Sequence, residues 1–118
     1  MLTIRRFIGQ TLTIKIDRPM GSRHPQDGFL YPLNYGYLSS ELGGDGEPLD
    51  AYLLGVFEPV ESATGVCTAV IHRLDDEDDK LVICPPGKSY TPAQIRALTE
   101  FQERFFTSVL YIDKSKKL

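Results

Sequence analysis

The chain has 118 residues, a formal net charge of −3 at pH 7 and a pI of about 5.3, with 42% hydrophobic and 25% charged residues. This composition is that of a globular protein rather than a disordered one, and the length suits a single domain over residues 1–118. The acidic balance argues against a general nucleic-acid binder, so a phosphate ligand would need local positive charge or bridging metal ions. Because we find no secretory signal pattern and no apolar stretch of about 18 residues, we expect a cytoplasmic protein that does not span a membrane.

The first predicted element is a strand that alternates strictly between apolar and polar residues. Leu12, Ile14 and Ile16 of TLTIKID (11–17) share one face, which indicates a half-buried strand. The following segment, RPMGSRHPQDG, is rich in Pro, Gly and polar residues and predicts a loop.

Short extended segments and a glycine-rich loop follow. FLYP and NYGYL are aromatic-rich extended pieces interrupted by Pro32 and Gly36. SSELGGDGEP predicts a second loop, because its glycines adopt backbone conformations that other residues resist. DAYLLGVF predicts a buried strand.

Two strong strand candidates come next, GVCTAVIHRL and KLVICP, and the acidic segment DDEDD joins them as the tip of a hairpin. We interpret Cys67 and Cys84, one in each strand, as small buried hydrophobic residues in a reducing compartment. A disulfide between them is the less favoured alternative. His72 and Arg73 lie on opposite strand faces, and we expect a structural or surface role for both.

One helix is predicted late in the chain. Thr91 suits the N-cap, Pro92 the first helical position and Gln94 the partner position of a capping box. The apolar face of this helix would comprise Ile95, Leu98, Phe101, Phe105 and Val109. The order of about five or six strands followed by one helix predicts a small barrel or curled sheet with the helix packed against it.

Two groups of acidic residues are candidate metal ligands. The first comprises Asp45, Glu47 and Asp50, and the second is the hairpin tip Asp75–Asp79. Magnesium takes oxygen ligands and is usually held by one or two carboxylates together with substrate phosphates. The alternative is that each group is a solvated turn or loop tip. Neither group has the EF-hand pattern, and the two histidines and two cysteines are too scattered for a structural zinc site.

The spacing of residues at the second acidic group indicates that Asp78 and Lys80 share one cleft. Period two places Asp78 and Lys80 on the same strand face, so a carboxylate and an ammonium would enter one cleft together. If Asp50 opens the neighbouring strand, its carboxylate would meet Asp78 there. Like charges that close repel strongly unless a divalent cation lies between them.

Three segments taken in order, YPLNYGYL, DGEPLD and DDEDDKLVICP, resemble the soluble (family I) inorganic pyrophosphatases. The family hallmark is a YPxNYGY-type segment, then D-G-D-P-x-D, then an acidic turn leading into a D-x-K-x-x-x-x-P strand. The segment DRPMGSRHP also resembles a loop of a shortened bacterial subgroup. The resemblance covers roughly Phe29 to Phe106. It implies a mainly β fold with a C-terminal helix, built on a small twisted OB-like five-stranded barrel.

The activity implied by the resemblance is magnesium-dependent hydrolysis of pyrophosphate to two phosphates by metal-activated water, with Mn²⁺ or other divalent ions as alternatives to Mg²⁺. The implied metal ligands are Asp45, Asp50 and Asp78 for an activating metal pair, with Asp50 bridging, and Asp75 for a metal that arrives with substrate. The implied catalytic residues are Glu47, Asp50, Tyr35 and Lys80. Within this group Tyr35 and Lys80 would contact phosphate, and Glu47, which stands at a family aspartate, would help deprotonate the attacking water.

The sequence also departs from the family pattern. Arg18, Arg23 and His24 are the available replacements for phosphate-binding cations of a longer N-terminal hairpin, and the alternatives are solvated loop charge for the arginines and a structural role for His24. The family helix presents a Tyr-Lys pair to the product phosphate, whereas this chain has Phe105 and Phe106. Because these aromatic side chains are expected only to pack, one phosphate contact is missing.

Three functions therefore stay open on sequence grounds. The first is pyrophosphate hydrolysis, with pyrophosphate rather than nucleic acid or membrane as the partner. The second is a degenerate family member that binds phosphate compounds or a protein partner without turnover. The third is an OB-type nucleic-acid module with tyrosines as stacking platforms, which the acidic cleft argues against. Long bacterial relatives assemble into oligomers, so a homo-oligomer is a further expectation to test.

Overall fold

The computed structural model describes residues 3–42, 46–76 and 78–112. Its elements in chain order are a 3₁₀-helix (Thr3–Phe7), strands β1 (Thr11–Arg18), β2 (Asn34–Leu42), β3 (Pro48–Leu53), β4 (Ser62–Arg73) and β5 (Lys80–Cys84), helix α1 (Pro92–Glu103) and strand β6 (Ser108–Tyr111). Among these described residues no helix is both long enough and apolar enough to cross a membrane.

Five of the strands close into a barrel. They follow the order β1-β2-β3-β5-β4, and β4 pairs back with β1. The β3–β5 pair is parallel, whereas the other pairs in the barrel are antiparallel. The predicted mainly β fold, with an OB-like five-stranded barrel and a C-terminal helix, is confirmed.

Strand β4 is long enough to serve two partners along one edge. Its first half, from Ser62 to Val66, pairs with β1, and Val70 to Arg73 pair with β6. Without β6, the backbone N–H and C=O groups of that second half would form an open strand edge. The predicted apolar helix face through Phe105 and Val109 is therefore wrong. Helix α1 ends at Glu103 and Val109 lies in β6, because pairing with β4 outweighs the helical spacing of the apolar residues.

Two other segments differ from the sequence-based expectation. Ser39–Leu42, expected in a loop, belong to β2, and the 3₁₀-helix at Thr3–Phe7 was not predicted. The start of α1 agrees with the prediction, because the Thr91 side chain accepts the Gln94 backbone N–H and the Gln94 side chain accepts the Thr91 backbone N–H.

The barrel wall separates two apolar clusters. All five barrel strands contribute to the first, which fills the barrel interior and includes Ile14, Leu38, Ala51, Val70 and Leu81. The second lies on the outer face under α1 and includes Tyr31, Tyr52, Ile71, Val82 and Ile95. On this outer face, at the end of the barrel near Glu103, side chains reach the cavity described below.

Both cysteines are buried and unpaired, as predicted. Cys67 faces the barrel interior and Cys84 the outer cluster. Burial raises the pKa of the Cys67 thiol to about 12 and also raises the pKa of Cys84. Both therefore stay protonated at neutral pH and act as apolar packing groups.

Candidate active site

A cavity of about 330 Å³ opens beside the outer cluster, between the strands and the C-terminal end of α1. Six residues predicted for the site contribute to its lining: Arg18, His24, Tyr35, Asp50, Asp78 and Lys80. They come from β1, from the loop after it, from β2, β3 and β5, and from the turn before β5. The barrel therefore brings together side chains that are far apart in the sequence.

The centre of the cavity wall is a lysine held between two carboxylates. The parallel register of β3 and β5 places Asp50 beside Lys80. The Lys80 Nζ atom lies 2.7 Å from Asp50 Oδ2 and 2.7 Å from Asp78 Oδ2. The Lys80 side chain is only 2% exposed, so its ammonium needs this pairing. Sequence reasoning expected a divalent cation to offset the repulsion between these acids, but the ammonium group offsets part of it directly.

Tyr35 approaches the same carboxylate from β2. Its hydroxyl donates a hydrogen bond of 3.0 Å to Asp50 Oδ2, and its ring centroid lies 5.5 Å from Lys80 Nζ. Burial, and then the negative charge of Asp50, raise the pKa of Tyr35 well above its ordinary value. Tyr35 is therefore a neutral hydrogen-bond donor over the whole physiological pH range.

A second charged group, Arg73 paired with Glu103, adjoins the first, because Arg73 Nη1 lies 3.4 Å from Asp78 Oδ2. Arg73 donates from Nε to Glu103 Oε1 at 3.1 Å and from Nη2 to Glu103 Oε2 at 2.8 Å. The Tyr52 hydroxyl also donates to Glu103 Oε2, at 2.6 Å, and burial followed by the Glu103 charge raises the pKa of Tyr52. Gln102 joins the network by donating to the Tyr52 hydroxyl and accepting from Tyr31, each at 2.8 Å. A continuous hydrogen-bond network thus ties α1 to the barrel.

Arg73 is a fixed cation. Burial alone lowers its pKa, but the hydrogen bonds and the charge of Glu103 outweigh that effect and raise the pKa above its ordinary value. The Phe106 ring covers the guanidinium, with the Arg73 Cζ atom 3.6 Å from the ring centroid. Phe106 therefore does more than pack, because it holds the plane of a charged group that lines the cavity.

His24 takes a mainly structural position at the edge of the cavity. Its Nδ1 atom accepts the backbone N–H groups of Gln26, at 3.2 Å, and Asp27, at 3.0 Å. Its ring packs on Phe29 with the centroids 4.7 Å apart. The loop is thus organised around His24, and a phosphate contact by this residue stays a prediction.

The remaining predicted residues lie elsewhere. Arg23 is exposed and donates to the Gly28 carbonyl at 2.8 Å. Asp75 is exposed and accepts the Thr107 backbone N–H at 3.1 Å. Glu47 is exposed just before β3, and Asp45 lies outside the described residues. Among the described residues, Arg23, Glu47 and Asp75 do not join the lining of the cavity.

Sequence reasoning missed three charged residues of the lining, Asp17, Asp27 and Arg73. Ala69 and Ile71 both belong to the outer cluster, and period two places Arg73 on their face. The sequence therefore contains a signal for Arg73, because a charged residue continues the apolar face of a strand. Asp17 lies where the register of β1 against β2 shifts, between Ile16 and Arg18, so strict alternation does not predict its direction.

We expect Asp17→Asn to stabilise the metal-free protein at neutral pH. Burial raises the pKa of Asp17 from 3.8, outweighing the attraction of Arg18, which lowers it. The folded state therefore binds the Asp17 proton more tightly than the unfolded state, and the wild type loses stability as pH rises from 3.8 through the folded pKa. The asparagine variant should have the higher melting temperature at pH 7, and its advantage should shrink as pH falls towards 3.8. Melting curves of both proteins across pH measure this, and an advantage that grows on acidification would contradict it.

The donor set of the cavity fits a hard divalent cation. Asp50 and Asp78 supply carboxylate oxygens, which Mg²⁺ prefers, and the contacts described above use the Oδ2 atom of each. Within the part of the chain that the structure describes, no group of three or more His, Cys, Asp or Glu side chains lies close enough to hold a metal alone. Two carboxylates completed by water and phosphate oxygens are nonetheless the usual way in which proteins bind Mg²⁺.

Comparisons with known proteins identify one family. The sequence model of the inorganic pyrophosphatase family matches residues 10–112. The inorganic pyrophosphatase of Ralstonia nicotianae is 34% identical over 83 residues, which are 67% of this chain and 45% of that protein. The enzyme of the same name from Corynebacterium glutamicum is 35% identical over 96 residues, which are 73% of this chain and 60% of that protein. The chain thus spans about half the length of the curated relatives it matches.

Solved structures share the fold. The inorganic pyrophosphatase from Ehrlichia chaffeensis superposes with a TM-score of 0.71 at 16% identity, covering 92% of this chain and 89% of that one. The inorganic pyrophosphatase from Helicobacter pylori gives a TM-score of 0.63 at 20% identity, covering 81% of this chain and 75% of that one. At such identities the likeness concerns the fold alone, and the function has to be argued from the cavity.

Proposed function

Because the chain belongs to the inorganic pyrophosphatase family, we propose that it hydrolyses pyrophosphate to two phosphates with the help of divalent cations. The observation that carries this proposal is the arrangement of Asp50, Lys80 and Asp78 in one cavity, joined by two contacts of 2.7 Å. Carboxylates for a cation and an ammonium for a phosphate oxygen are the two kinds of group that phosphoryl transfer requires.

Asp50 and Asp78 are the proposed ligands of Mg²⁺, or of Mn²⁺ or another divalent ion. Asp45, which the structure does not describe, and Asp75 complete the proposed set. Bound cations supply neutralisation of the phosphoanhydride charge and a lower pKa for the attacking water. Asp75 accepts the Thr107 backbone N–H at 3.1 Å and lies outside the cavity lining, and its proposed role is with a metal that arrives with substrate.

The other proposed roles belong to the protein's own donors and acceptors. Tyr35 stays protonated and donates a hydrogen bond to a substrate oxygen or to Asp50. The Lys80 ammonium is proposed to stabilise charge on the departing phosphate. Arg18 and His24, which line the cavity, are proposed to bind phosphate, as is Arg23, which lies outside the lining. Glu47 is proposed to accept the proton of the attacking water.

One observation favours a second candidate, a phosphate-binding protein without turnover. Lys80 contacts both carboxylates at 2.7 Å, so its ammonium offsets part of their repulsion, and an anion could be bound in the cavity with no reaction. In that case the protein would bind pyrophosphate and release it intact. The experiment that tests the proposed function separates the two.

Phosphate release from pyrophosphate is the direct test. We expect steady release with millimolar Mg²⁺, with Mn²⁺ or Co²⁺ tested as alternatives, and none when the metals are chelated. A phosphate monoester and ATP serve as comparison substrates, since only the second contains a phosphoanhydride. Binding of pyrophosphate by calorimetry without release under any of the three metals would reject hydrolysis and select the binding protein.

Location and assembly are further parts of the proposal. A cytoplasmic location agrees with two buried, unpaired cysteines, which are usual in reducing compartments. Homo-oligomeric assembly stays a prediction, and sedimentation velocity at several protein concentrations measures it.

A further inference from the structure

The cavity contains a buried cationic side chain, Arg73, for which the sequence analysis predicted no ligand. Arg73 is 4% exposed, yet it contributes to the cavity lining at the end of β4. Replacing a buried ion pair by apolar residues of similar volume often leaves stability unchanged or improves it. Fold stability alone therefore gives little reason to bury Arg73 with Glu103, and the position of the pair beside a polar cavity calls for a second reason.

The guanidinium is held so that one of its nitrogens remains available. Nε and Nη2 form the bidentate pair with Glu103, at 3.1 and 2.8 Å. Among the described residues, Nη1 donates a long hydrogen bond of 3.4 Å to Asp78 Oδ2 and lies 3.6 Å from Asp76 Oδ2. Good N–H···O hydrogen bonds are about 2.7–3.2 Å long, so Nη1 retains donor capacity for a ligand oxygen.

Phe106 fixes the orientation of that nitrogen. Its ring lies under the guanidinium, with the Arg73 Cζ atom 3.6 Å from the centroid, and it lines the same cavity. With Glu103 along one edge of the guanidinium plane and Phe106 across its face, Arg73 has little rotational freedom. A preorganised donor loses less entropy on binding an anion than a mobile side chain does.

The other cations of the cavity are engaged more strongly or more exposed. Lys80 Nζ is occupied at 2.7 Å by two carboxylates. Arg18 is 34% exposed and lies 3.7 Å from the Asp17 carboxylate. A planar guanidinium also matches the oxygens of a phosphate better than an ammonium does.

We propose that Arg73 is a phosphate-binding residue, which donates from Nη1 to an oxygen of the phosphate in this cavity. The proposal deepens the proposed function and rests on it for the identity of the substrate. It assigns to β4 a phosphate contact that sequence reasoning expected to be missing at Phe105 and Phe106. Glu103 and Phe106 are then positioning residues, which hold the guanidinium and do not touch the ligand.

The test is binding of inorganic phosphate, measured by calorimetry with Mg²⁺ present. The double variant Arg73→Met with Glu103→Gln removes both charges of the buried pair, so no uncompensated charge is left behind. We expect its phosphate affinity to fall at least about tenfold, the range for hydrogen bonds to charged groups. Glu103→Gln alone keeps the guanidinium but loosens its positioning, so its phosphate affinity should fall less than that of the double variant. A purely structural ion pair predicts equal losses in both variants, which would overturn the proposal.

A matched control and a measurement on wild type complete the design. Arg96→Met removes an arginine outside the cavity, one that donates to Ser108 Oγ at 2.7 Å, and should leave phosphate affinity unchanged. In ¹⁵N-labelled wild type, phosphate should shift the Arg73 guanidinium resonances and not those of Arg96. An unshifted Arg73 resonance, or wild type that binds no phosphate, would overturn the proposal even if the double variant does not fold.

The failure of this inference is distinguishable from failure of the proposed function. Wild type that binds phosphate through Arg73 but releases none from pyrophosphate would reject hydrolysis and retain the phosphate-binding role. Wild type that hydrolyses pyrophosphate, with KM unaffected in the double variant relative to Glu103→Gln, would reject the role of Arg73 alone.

Discussion

Replacing Asp50 by asparagine should reduce magnesium-dependent phosphate release at least about 100-fold, since even indirect partners of a metal commonly account for about 10–100-fold. Asparagine has nearly the same shape as aspartate, and its carbonyl oxygen can still accept from Tyr35 and Lys80, as Asp50 Oδ2 does at 3.0 and 2.7 Å. The fold should therefore persist. The negative charge that we propose to hold a cation is lost, so added Mg²⁺ should no longer raise the melting temperature as it does for wild type.

The matched control for this loss of charge is Glu58→Gln, an exposed acid in the segment after β3 that lies outside the cavity lining. This control should retain both the activity and the magnesium-dependent rise in melting temperature. Initial rates and melting curves with and without Mg²⁺ measure both quantities. If Asp50→Asn retains the magnesium shift, or if wild type shows none, the proposed metal site is wrong.

The meeting of Asp50 and Lys80 shows how far strand periodicity can be followed from the sequence. Period two placed Lys80 and Asp78 on one face, and in the structure Lys80 contacts both Asp50 and Asp78. The periodicity does not reveal that β3 and β5 pair, or in which register. A shift of one residue in that parallel pairing would turn Asp50 towards the barrel interior. The family resemblance implied that Asp50 and Asp78 share a metal site, but neither it nor the alternation predicted the pairing or its register.

Arg73 and β6 mark the limit of local reasoning. The partner of Arg73 is Glu103, 30 residues later on a helix, and no local pattern connects them. Similarly, Val109 has helical spacing from Phe101 and Phe105, but it lies in β6 because the open edge of β4 takes a strand there. Both outcomes depend on long-range contacts, which override local preference where backbone groups or charges would otherwise be buried unpaired.

The second prediction with a large effect concerns the glycine of the NYGYL segment. Gly36 in β2 lies opposite Ile16 of β1 and Ala51 of β3. A Cβ atom at Gly36 would overlap the backbone carbonyl oxygen of Lys15, and backbone atoms cannot move aside as a flexible side chain does. We expect Gly36→Ala to force β1 away from β2 and to lower the free energy of unfolding by at least about 3 kcal/mol.

Urea and thermal unfolding followed by circular dichroism measure this loss, and Gly87→Ala is the control. Gly87 has a φ of +82° with no neighbouring atom within 4 Å of an added Cβ, so its substitution carries only the backbone penalty, about 1–2 kcal/mol. The larger loss at Gly36, whose φ lies outside the left-handed region, would show that close approach of β1 is the cause. Since Tyr35 and Asp50 are positioned by this same strand pairing, the remaining folded Gly36→Ala protein should also lose phosphate-releasing activity. Equal stability of the two variants would show that β1 tolerates displacement at this point, and that barrel closure does not depend on a glycine there.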